Sequence, residues 1–439
     1  MVSDLLSRAM RTLAAISLLI PMGGCGGYPP GATQTPTTTP TTTTPIKHLI
    51  IVIGENRSFD NLFATYQPAS PGQQVSNLLS RQIVTATGAP GPNFAEAVQQ
   101  QALDNNIYQL SPPKTGPFAF LPQPNNTLNP LIFPPAVQYG IASDPGLAPA
   151  SQSLLNQGGI FPQLPFFPDK RFPANLPDGP FQITSFVNYN SNTGDPVHRF
   201  YQMWQQADCS QSNMTALNPS GCAHDLYAWV ATSVGWATQN TPPPVPHTDE
   251  STFQGGVALG YYNMAAGDVP YFRSLADTYA LSDNYHQFMM GGTGPNSISF
   301  GTADAYVYSD ANGNPATPPA LQIENPNPFS GSNNWYQSDG FYIVDSGNLS
   351  NASYTNCSDS TQPGAAAILN YLATLPYKPF NGGNCAPGMF YLVNNQIPSY
   401  DRVGSLVADQ THAVGPSTVP TIADALIAKG ITWGFFGEG

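Results

Sequence analysis

A carboxylate, a carboxamide and a guanidinium follow one another directly after an apolar run near the N-terminus. The run at 49–53 leads through Gly54 into Glu55, Asn56 and Arg57. A buried strand normally closes on turn residues, because a charge without a partner at its end is costly. At the carboxyl end of a strand, where open α/β sheets place their sites, a carboxylate can bind a hard divalent cation. Glu55 is therefore a candidate metal ligand, and Asn56 a candidate second oxygen donor.

Each of these two residues also has an interpretation that involves no ligand. Glu55 could form a salt bridge with the nearby Arg57, and Asn56 could simply cap the turn. For Glu55 the position in the sequence favours neither interpretation.

A second candidate lies at 289–296, which reads MMGGTGPN. Its two glycines let the backbone approach a ligand closely, and Thr293 is placed to open a helix, whose N-terminus favours an anion. A hydroxyl there can attack phosphorus if a metal lowers its pKa. The alternative is an N-cap threonine in a glycine turn, which the pattern alone favours. Asn296 is either a donor to a phosphate oxygen or a turn residue.

Two histidine-containing segments complete the candidates. His198, in GDPVHRFYQ, could act as a general acid or bind phosphate, although a lone histidine at a helix start is more often structural. His247, Asp249 and Glu250, in PHTDES, resemble a metal-binding group. In a proline-rich loop, however, such residues are usually solvated, and we favour that interpretation.

The elements that must position these residues alternate along the chain. Apolar spacing predicts helices and strands in an order typical of a single α/β domain with large insertions at 64–190 and 309–363. The predicted helices cover 196–206, 269–279, 364–374 and 418–430, and the predicted strands 46–53, 388–395 and 431–436.

The composition indicates a globular protein and excludes one class of partner. Of 439 residues, 41% are apolar, enough for a packed core, and only 9% are charged, with a net charge of −13. So few cations cannot neutralise a row of phosphates, which argues against nucleic acid. An anionic small substrate would need a locally positive site.

The first residues read as an export signal. Arg8 and Arg11 precede an apolar stretch at 12–22, and small residues then lead to Cys25. We interpret 1–24 as a lipoprotein signal peptide with Cys25 as the lipidated residue, so that the protein is periplasmic or on the cell surface. Met22 is unusual at its position, which leaves ordinary secretion as the alternative. The stretch is shorter than the roughly 20 residues of a membrane-spanning helix.

The following segment, 25–45, is rich in threonine and proline and predicts an extended tether. We expect the folded domain to cover 46–439.

The four remaining cysteines predict disulfides, as in other exported proteins. Of the three possible pairings we favour the local one, Cys209 with Cys222 and Cys357 with Cys385, because it closes short loops. A metal–thiolate cluster is the alternative, but the chain has no C-x-x-C pair.

Four motifs follow one another along the chain: HLIIVIGENRSFDNLFATY, DPVH, ALGYYNMAAGDVPYFRSLADTYALSDNYHQFMMGGTGPN and VPTIADALIAKGITWGFFGEG. Taken in this order, they resemble the bacterial phosphoesterase family. That family contains phosphatidylcholine-type phospholipases C and related acid phosphatases. The resemblance implies an alkaline-phosphatase-like α/β/α sandwich with a central mixed sheet, and hydrolysis of phosphate esters at a divalent metal.

The resemblance implies that Thr293 is the nucleophile and a metal ligand, and that Glu55 and Asn56 are further metal ligands. It also implies that His198 contacts the phosphate or the leaving group and that Asn296 binds the substrate. Family members continue into a segment with an Asp-Asp or Asp-Glu metal pair, which implies that this chain is truncated at its C-terminus. We expect a monomer that hydrolyses phosphomonoesters or phospholipids. The alternative is a non-catalytic surface lipoprotein that retains the fold.

Overall fold

The computed structural model describes residues 44–54, 57–124, 169, 171–188, 196–237, 255–310, 312–337, 343–345, 348–350, 353–376, 385–394, 397–398, 413–414 and 419–436. These residues belong to two compact units. One contains residues 44–50 and 420–436 of the described chain, and the other contains the described residues from 51 to 398 together with 413–414 and 419. The proposed division into a signal peptide, a tether and a domain stays a prediction.

Seven α-helices occur in the described chain. They are α1 (Phe59–Phe63), α2 (Phe200–Ala207), α3 (Tyr227–Ser233), α4 (Pro270–Thr278), α5 (Thr293–Thr302), α6 (Ala365–Thr374) and α7 (Ile422–Ala428). The four helices predicted from apolar spacing correspond to α2, α4, α6 and α7, which begin and end within a few residues of the expected bounds. No helix among the described residues is both long enough and apolar enough to cross a membrane.

The strands of the described chain pair two by two. Antiparallel pairs join β1 (Gln100–Ala102) to β2 (Lys114–Pro117), β7 (Ile343–Asp345) to β8 (Asn348–Ser350), and β9 (Tyr354–Thr355) to β10 (Tyr391–Leu392). Parallel pairs join β3 (Phe181–Gln182) to β5 (Gly260–Tyr261), β4 (Gly235–Ala237) to β6 (Trp335–Gln337), and β11 (Ile397–Pro398) to β12 (Ala413–Val414).

Mixed helices and short sheets place the protein in the α/β class, as predicted. The central mixed sheet of an alkaline-phosphatase-like sandwich is not among the described strand pairs, and the sandwich stays a prediction.

The predicted strand at 46–53 is wrong for this structure. Residues 46–53 belong to no strand or helix, and their side chains are exposed, with Leu49 at 79% and Ile50 at 85% of their full accessibility. An apolar run forms a buried strand only when neighbouring strands pair with it, and no described strand pairs with these residues. The same holds for the predicted strand at 431–436, which is irregular here.

Several separate apolar clusters form the core of the larger unit. One cluster packs α1 against β3 and the segment around Tyr262 and Met264, with Leu176 fully buried in it. Another packs α2 against α6 through Tyr201 and Ile368. A third surrounds the β9–β10 pair with Tyr306, Tyr354, Phe390 and Leu392. Ile298 of α5 packs against this third cluster.

Both predicted disulfides are present. Cys209 bonds to Cys222 and Cys357 to Cys385, so each bond closes a local loop, of 13 and 28 residues in sequence separation respectively. The first loop is further held by Tyr371 of α6, whose hydroxyl donates to the Ser220 carbonyl at 2.9 Å.

Candidate functional site

Thr293 is the first residue of α5, and its side chain is exposed to solvent. The N-cap is Gly292, in an extended conformation, so the simple interpretation of Thr293 as the N-cap residue is wrong. α5 has ten residues, and its dipole places partial positive charge at this end. An accessible hydroxyl at the positive end of a helix is suited to react with an anion.

The two glycines before Thr293 lie against the end of β10. The Gly292 amide donates to the Val393 carbonyl at 3.4 Å, and a Cβ atom at Gly291 would come within 2.3 Å of the same oxygen. Only glycine fits at position 291 without moving the backbone. The sequence signal of two consecutive glycines therefore reports a close backbone approach to Val393.

Asn296 braces this glycine turn with its side chain. Its amide nitrogen donates to the carbonyls of Met289 at 3.2 Å, Gly292 at 3.0 Å and Gly291 at 3.4 Å, and its oxygen accepts from the Met289 amide at 3.1 Å. These bonds match the interpretation of Asn296 as a turn residue. The contact of Asn296 with substrate stays a prediction. The same side chain would have to bond to the substrate and to the turn.

His198 lies two residues before α2 and is half-buried. Its Nδ1 is 3.2 Å from the Pro196 carbonyl, which selects the tautomer with the proton on Nδ1 and the lone pair on Nε2. Burial lowers the pKa of His198, the hydrogen bond to Pro196 opposes this, and the adjacent Arg199 guanidinium lowers the pKa further. The free protein therefore holds this imidazole neutral at pH 7.

Residues 393 and 394 connect the histidine segment to the threonine turn. Val393 accepts from the Gly292 amide at 3.4 Å, and the side chain of the next residue, Asn394, accepts from the Phe200 amide at 2.9 Å. One dipeptide at the end of β10 thus contacts the start of α5 and the start of α2. The segments that contain Thr293 and His198 are therefore each bonded to one of two adjacent residues.

A buried ion pair lies under this connection. Arg199 Nη2 lies 3.1 Å from Glu324 Oε1 and 3.3 Å from Oε2, and both side chains are 1% exposed or less. The Asn394 amide donates to Glu324 Oε2 at 3.0 Å and also to the Ser353 hydroxyl.

Sequence reasoning missed these residues. Only Arg199 and Asn394 had a signal in the sequence, since Arg199 directly follows His198 and Asn394 lies near the end of the predicted strand at 388–395. Glu324 lies in an irregular segment where no pattern identifies it.

The first candidate segment is described only at its flanks. Glu55 and Asn56 lie outside the described residues, as do Cys25, His247, Asp249 and Glu250. Arg57 stacks over the Tyr262 ring at 5.8 Å, and Ser58 caps α1 by accepting from the Asn61 amide at 3.1 Å. Asn61 also donates to the Gly260 carbonyl at 2.6 Å, which fixes α1 to β5.

The described residues contain no recognisable metal site. Among them, no group of three or more His, Cys, Asp or Glu side chains is arranged to hold a metal ion. Of the proposed ligands only Thr293 is described. The proposed donor set, a carboxylate, a carboxamide and a hydroxyl, nevertheless has the all-oxygen chemistry that hard divalent cations take.

Comparison with known proteins agrees with the resemblance of the motifs. The model of the phosphoesterase family matches residues 141–439, and the chain belongs to this family. A 41-residue stretch is 49% identical to the hemolytic phospholipase C of Pseudomonas aeruginosa. The stretch is 9% of this chain and 5% of that enzyme, so the chain aligns with only a small part of its relative. No solved structure matches the chain.

Proposed function

We propose that this protein is an exported hydrolase of phosphate esters in which Thr293 is the nucleophile. Family membership supports the reaction class. The position of Thr293 supports its choice as the nucleophile. Its exposed hydroxyl is at the first position of α5, directly after a glycine turn that Asn296 holds by hydrogen bonds. An anion at this helix end is stabilised by the dipole, and the hydroxyl lies beside it.

The reaction proceeds in two displacements. The Thr293 hydroxyl loses its proton to solvent and its oxygen attacks phosphorus. The bond to the leaving oxygen breaks, and the alcohol departs as the phosphoryl group becomes attached to threonine. Water then attacks the phosphothreonine and releases inorganic phosphate from a monoester, or the phosphorylated head group from a phospholipid. The departing threonine oxygen takes a proton from solvent, which restores the hydroxyl.

His198 is the proposed proton carrier. Its pKa is lowered in the free protein, but the negative charge of a bound phosphate ester would raise it again by Coulomb attraction. The protonated ring can then donate to the leaving oxygen, and the neutral ring that remains can accept a proton from the attacking water. One histidine thus serves both steps without net consumption of protons on the enzyme.

A divalent cation held by Glu55, Asn56 and Thr293 would supply positive charge that polarises the phosphoryl oxygen and lowers the pKa of the threonine hydroxyl. The identity of the ion is open, since oxygen ligation admits several. Chelator treatment should abolish turnover, and readdition of single divalent ions should identify the one that restores it.

The substrate is either a phospholipid or a soluble phosphomonoester. The partial match to a hemolytic phospholipase C supports the first, and the family as a whole supports both. Hydrolysis of phosphatidylcholine vesicles and of p-nitrophenyl phosphate, measured side by side, separates the two.

Export and membrane attachment belong to the same proposal. Two disulfides support an oxidising compartment. Lipidation of Cys25, followed by the 25–45 tether, would hold the enzyme at a membrane surface. Replacing Cys25 by Ser should move the protein from the detergent phase to the aqueous phase in a phase-partition experiment.

The decisive experiment compares two threonines of one helix. Thr293→Ala should reduce phosphate release by at least a thousandfold, whereas Thr302→Ala, at the other end of α5, should leave it within twofold. Trapping of labelled phosphate on the wild type at low pH, but not on Thr293→Ala, would identify the intermediate. Turnover retained by Thr293→Ala would refute the nucleophile.

The competing proposal is a surface lipoprotein that retains the fold without catalysis. A wild-type protein that hydrolyses neither phosphatidylcholine nor p-nitrophenyl phosphate with any divalent ion would support it.

A further inference from the structure

We propose that Glu324 and Asn394 are positioning residues, which hold the His198 segment and the Thr293 turn in register through a buried polar cluster. The cluster consists of Arg199, Glu324, Asn394 and Ser353. This inference rests on the proposed function for its kinetic consequences, and on geometry alone for its structural ones.

The cluster is buried, which makes its polar bonds geometrically demanding. Arg199, Glu324, Ser353 and Asn394 are each 1% exposed or less. A buried ion pair contributes little net stability compared with an apolar substitute, because desolvation offsets most of the Coulomb attraction. A buried ion pair must satisfy its hydrogen bonds in one arrangement of the side chains. Such a pair is therefore suited to fixing the relative positions of the segments that it joins.

Each bond of the cluster fixes a segment of the proposed site. Glu324 holds the Arg199 guanidinium through both carboxylate oxygens, and Arg199 is covalently next to His198. Asn394 uses its oxygen to accept from the Phe200 amide and its nitrogen to donate to Glu324. The α2 start is therefore held from two directions.

The same cluster reaches the nucleophile turn through the backbone. Val393, next to Asn394, accepts from the Gly292 amide, and its own amide donates to the Ser353 carbonyl at 3.0 Å. The Glu324 amide donates to the Tyr354 carbonyl at 2.9 Å. Glu324 and Val393 are thus both bonded to the β9 segment. This segment therefore supports both the start of α2, next to His198, and the glycine turn before Thr293.

The geometry predicts a defined kinetic defect. Glu324→Gln keeps the shape of the side chain and loses the charge that holds Arg199, and Asn394→Ala removes the bond to Phe200. Each variant should lower kcat at least tenfold with KM within twofold, because the substrate still binds while the proton carrier and the nucleophile lose their relative placement.

A matched control separates positioning from general loss of stability. The buried Asp169 forms another ion pair, at 2.8 Å, with the partly exposed Arg171 in a different part of the larger unit. Asp169→Asn should lower the melting temperature as Glu324→Gln does and leave kcat within twofold. Equal losses of kcat in Asp169→Asn and Glu324→Gln would overturn the positioning role, as would unchanged kcat in Glu324→Gln and Asn394→Ala.

Two readouts do not depend on turnover and therefore distinguish failure of this inference from failure of the proposed function. Glu324→Gln should lower the pKa of His198 measured by NMR, because it removes the negative charge that Glu324 places on Arg199, the residue next to His198. Asn394→Ala should speed hydrogen exchange in the peptide that covers 289–296, since the Val393 acceptor of the Gly292 amide shifts.

If wild-type protein proves inactive, these two measurements alone decide the case. An unchanged His198 pKa together with unchanged exchange at 289–296 would overturn the inference even if Thr293 proves to be the nucleophile.

Discussion

Asp104 is a buried carboxyl for which the described residues provide hydrogen bonds but no ion pair. Its side chain accepts from the Gln109 amide at 3.1 Å and from Gln205 Nε2 at 2.8 Å. Burial raises the pKa of Asp104 to about 6, although these hydrogen bonds oppose the shift. The folded protein therefore binds this proton more tightly than the unfolded chain does.

The sign of the stability effect follows from this raised pKa. The stability gained from the proton is fully present below pH 4 and is lost as the pH rises through about 6. Asp104→Asn should then raise the free energy of unfolding by about 1–3 kcal/mol at pH 8 and change it little at pH 4. Urea denaturation at the two pH values measures the difference.

Asp310 provides a control of opposite sign. It is exposed, and hydrogen bonds from Asn314 and from neighbouring amides lower its pKa. Asp310→Asn should be neutral or destabilising at pH 8. A stabilisation by Asp104→Asn that is equal at pH 4 and pH 8 would contradict the assigned ionisation.

At the scale of elements, the glycine turn before α5 makes a sharp prediction. A Cβ atom at Gly291 meets the Val393 carbonyl at 2.3 Å, and backbone on both sides cannot yield. Gly291→Ala should destabilise the protein by about 1–3 kcal/mol and lower phosphate release, because the turn must shift away from β10. Denaturant unfolding and turnover test the two parts separately.

Gly301, in the same helix, is the matched control. A Cβ atom there meets no atom within 4 Å, so Gly301→Ala should stabilise the helix by up to about 1 kcal/mol and leave turnover unchanged. Equal stability of Gly291→Ala and wild type would show that the turn is looser than its packing indicates.

Several helices could be predicted from the sequence, whereas most strands could not. The apolar spacing of α2, α4, α6 and α7 is a local property, and the capping box of Thr421 and Asp424 at α7 is also local. A strand requires a partner distant in sequence, and apolar character at 46–53 does not provide one. Pairing of the four cysteines was predictable because both loops are local.

The residues of the candidate site show the same difference between local and distant signals. Thr293 and its glycines could be identified from a contiguous motif. The bond between Glu324 and Asn394 spans 70 residues of sequence, and their bonds to Arg199 and Phe200 span 125 and 194. No contiguous pattern predicts such contacts.

At the scale of the whole molecule, exposed apolar side chains are concentrated in three stretches of the described chain. They occur at 46–53, 271–288 and 422–436. Isolated exposed apolar residues are normal, whereas consecutive ones favour association or binding of apolar ligands. The sequence predicts a monomer, and the run at 49–53 is the feature that most opposes it.

We therefore expect the purified protein to bind the dye ANS and to show a concentration-dependent apparent mass in light scattering. Replacing Leu49 and Ile50 together by Asp should reduce both effects, because it introduces two charges into the run of consecutive apolar residues. Leu217, 99% exposed and separate from these runs, is the control, and Leu217→Asp should change neither measurement. A wild-type protein that stays monomeric at high concentration and binds no ANS would mean that the run at 49–53 is covered in solution.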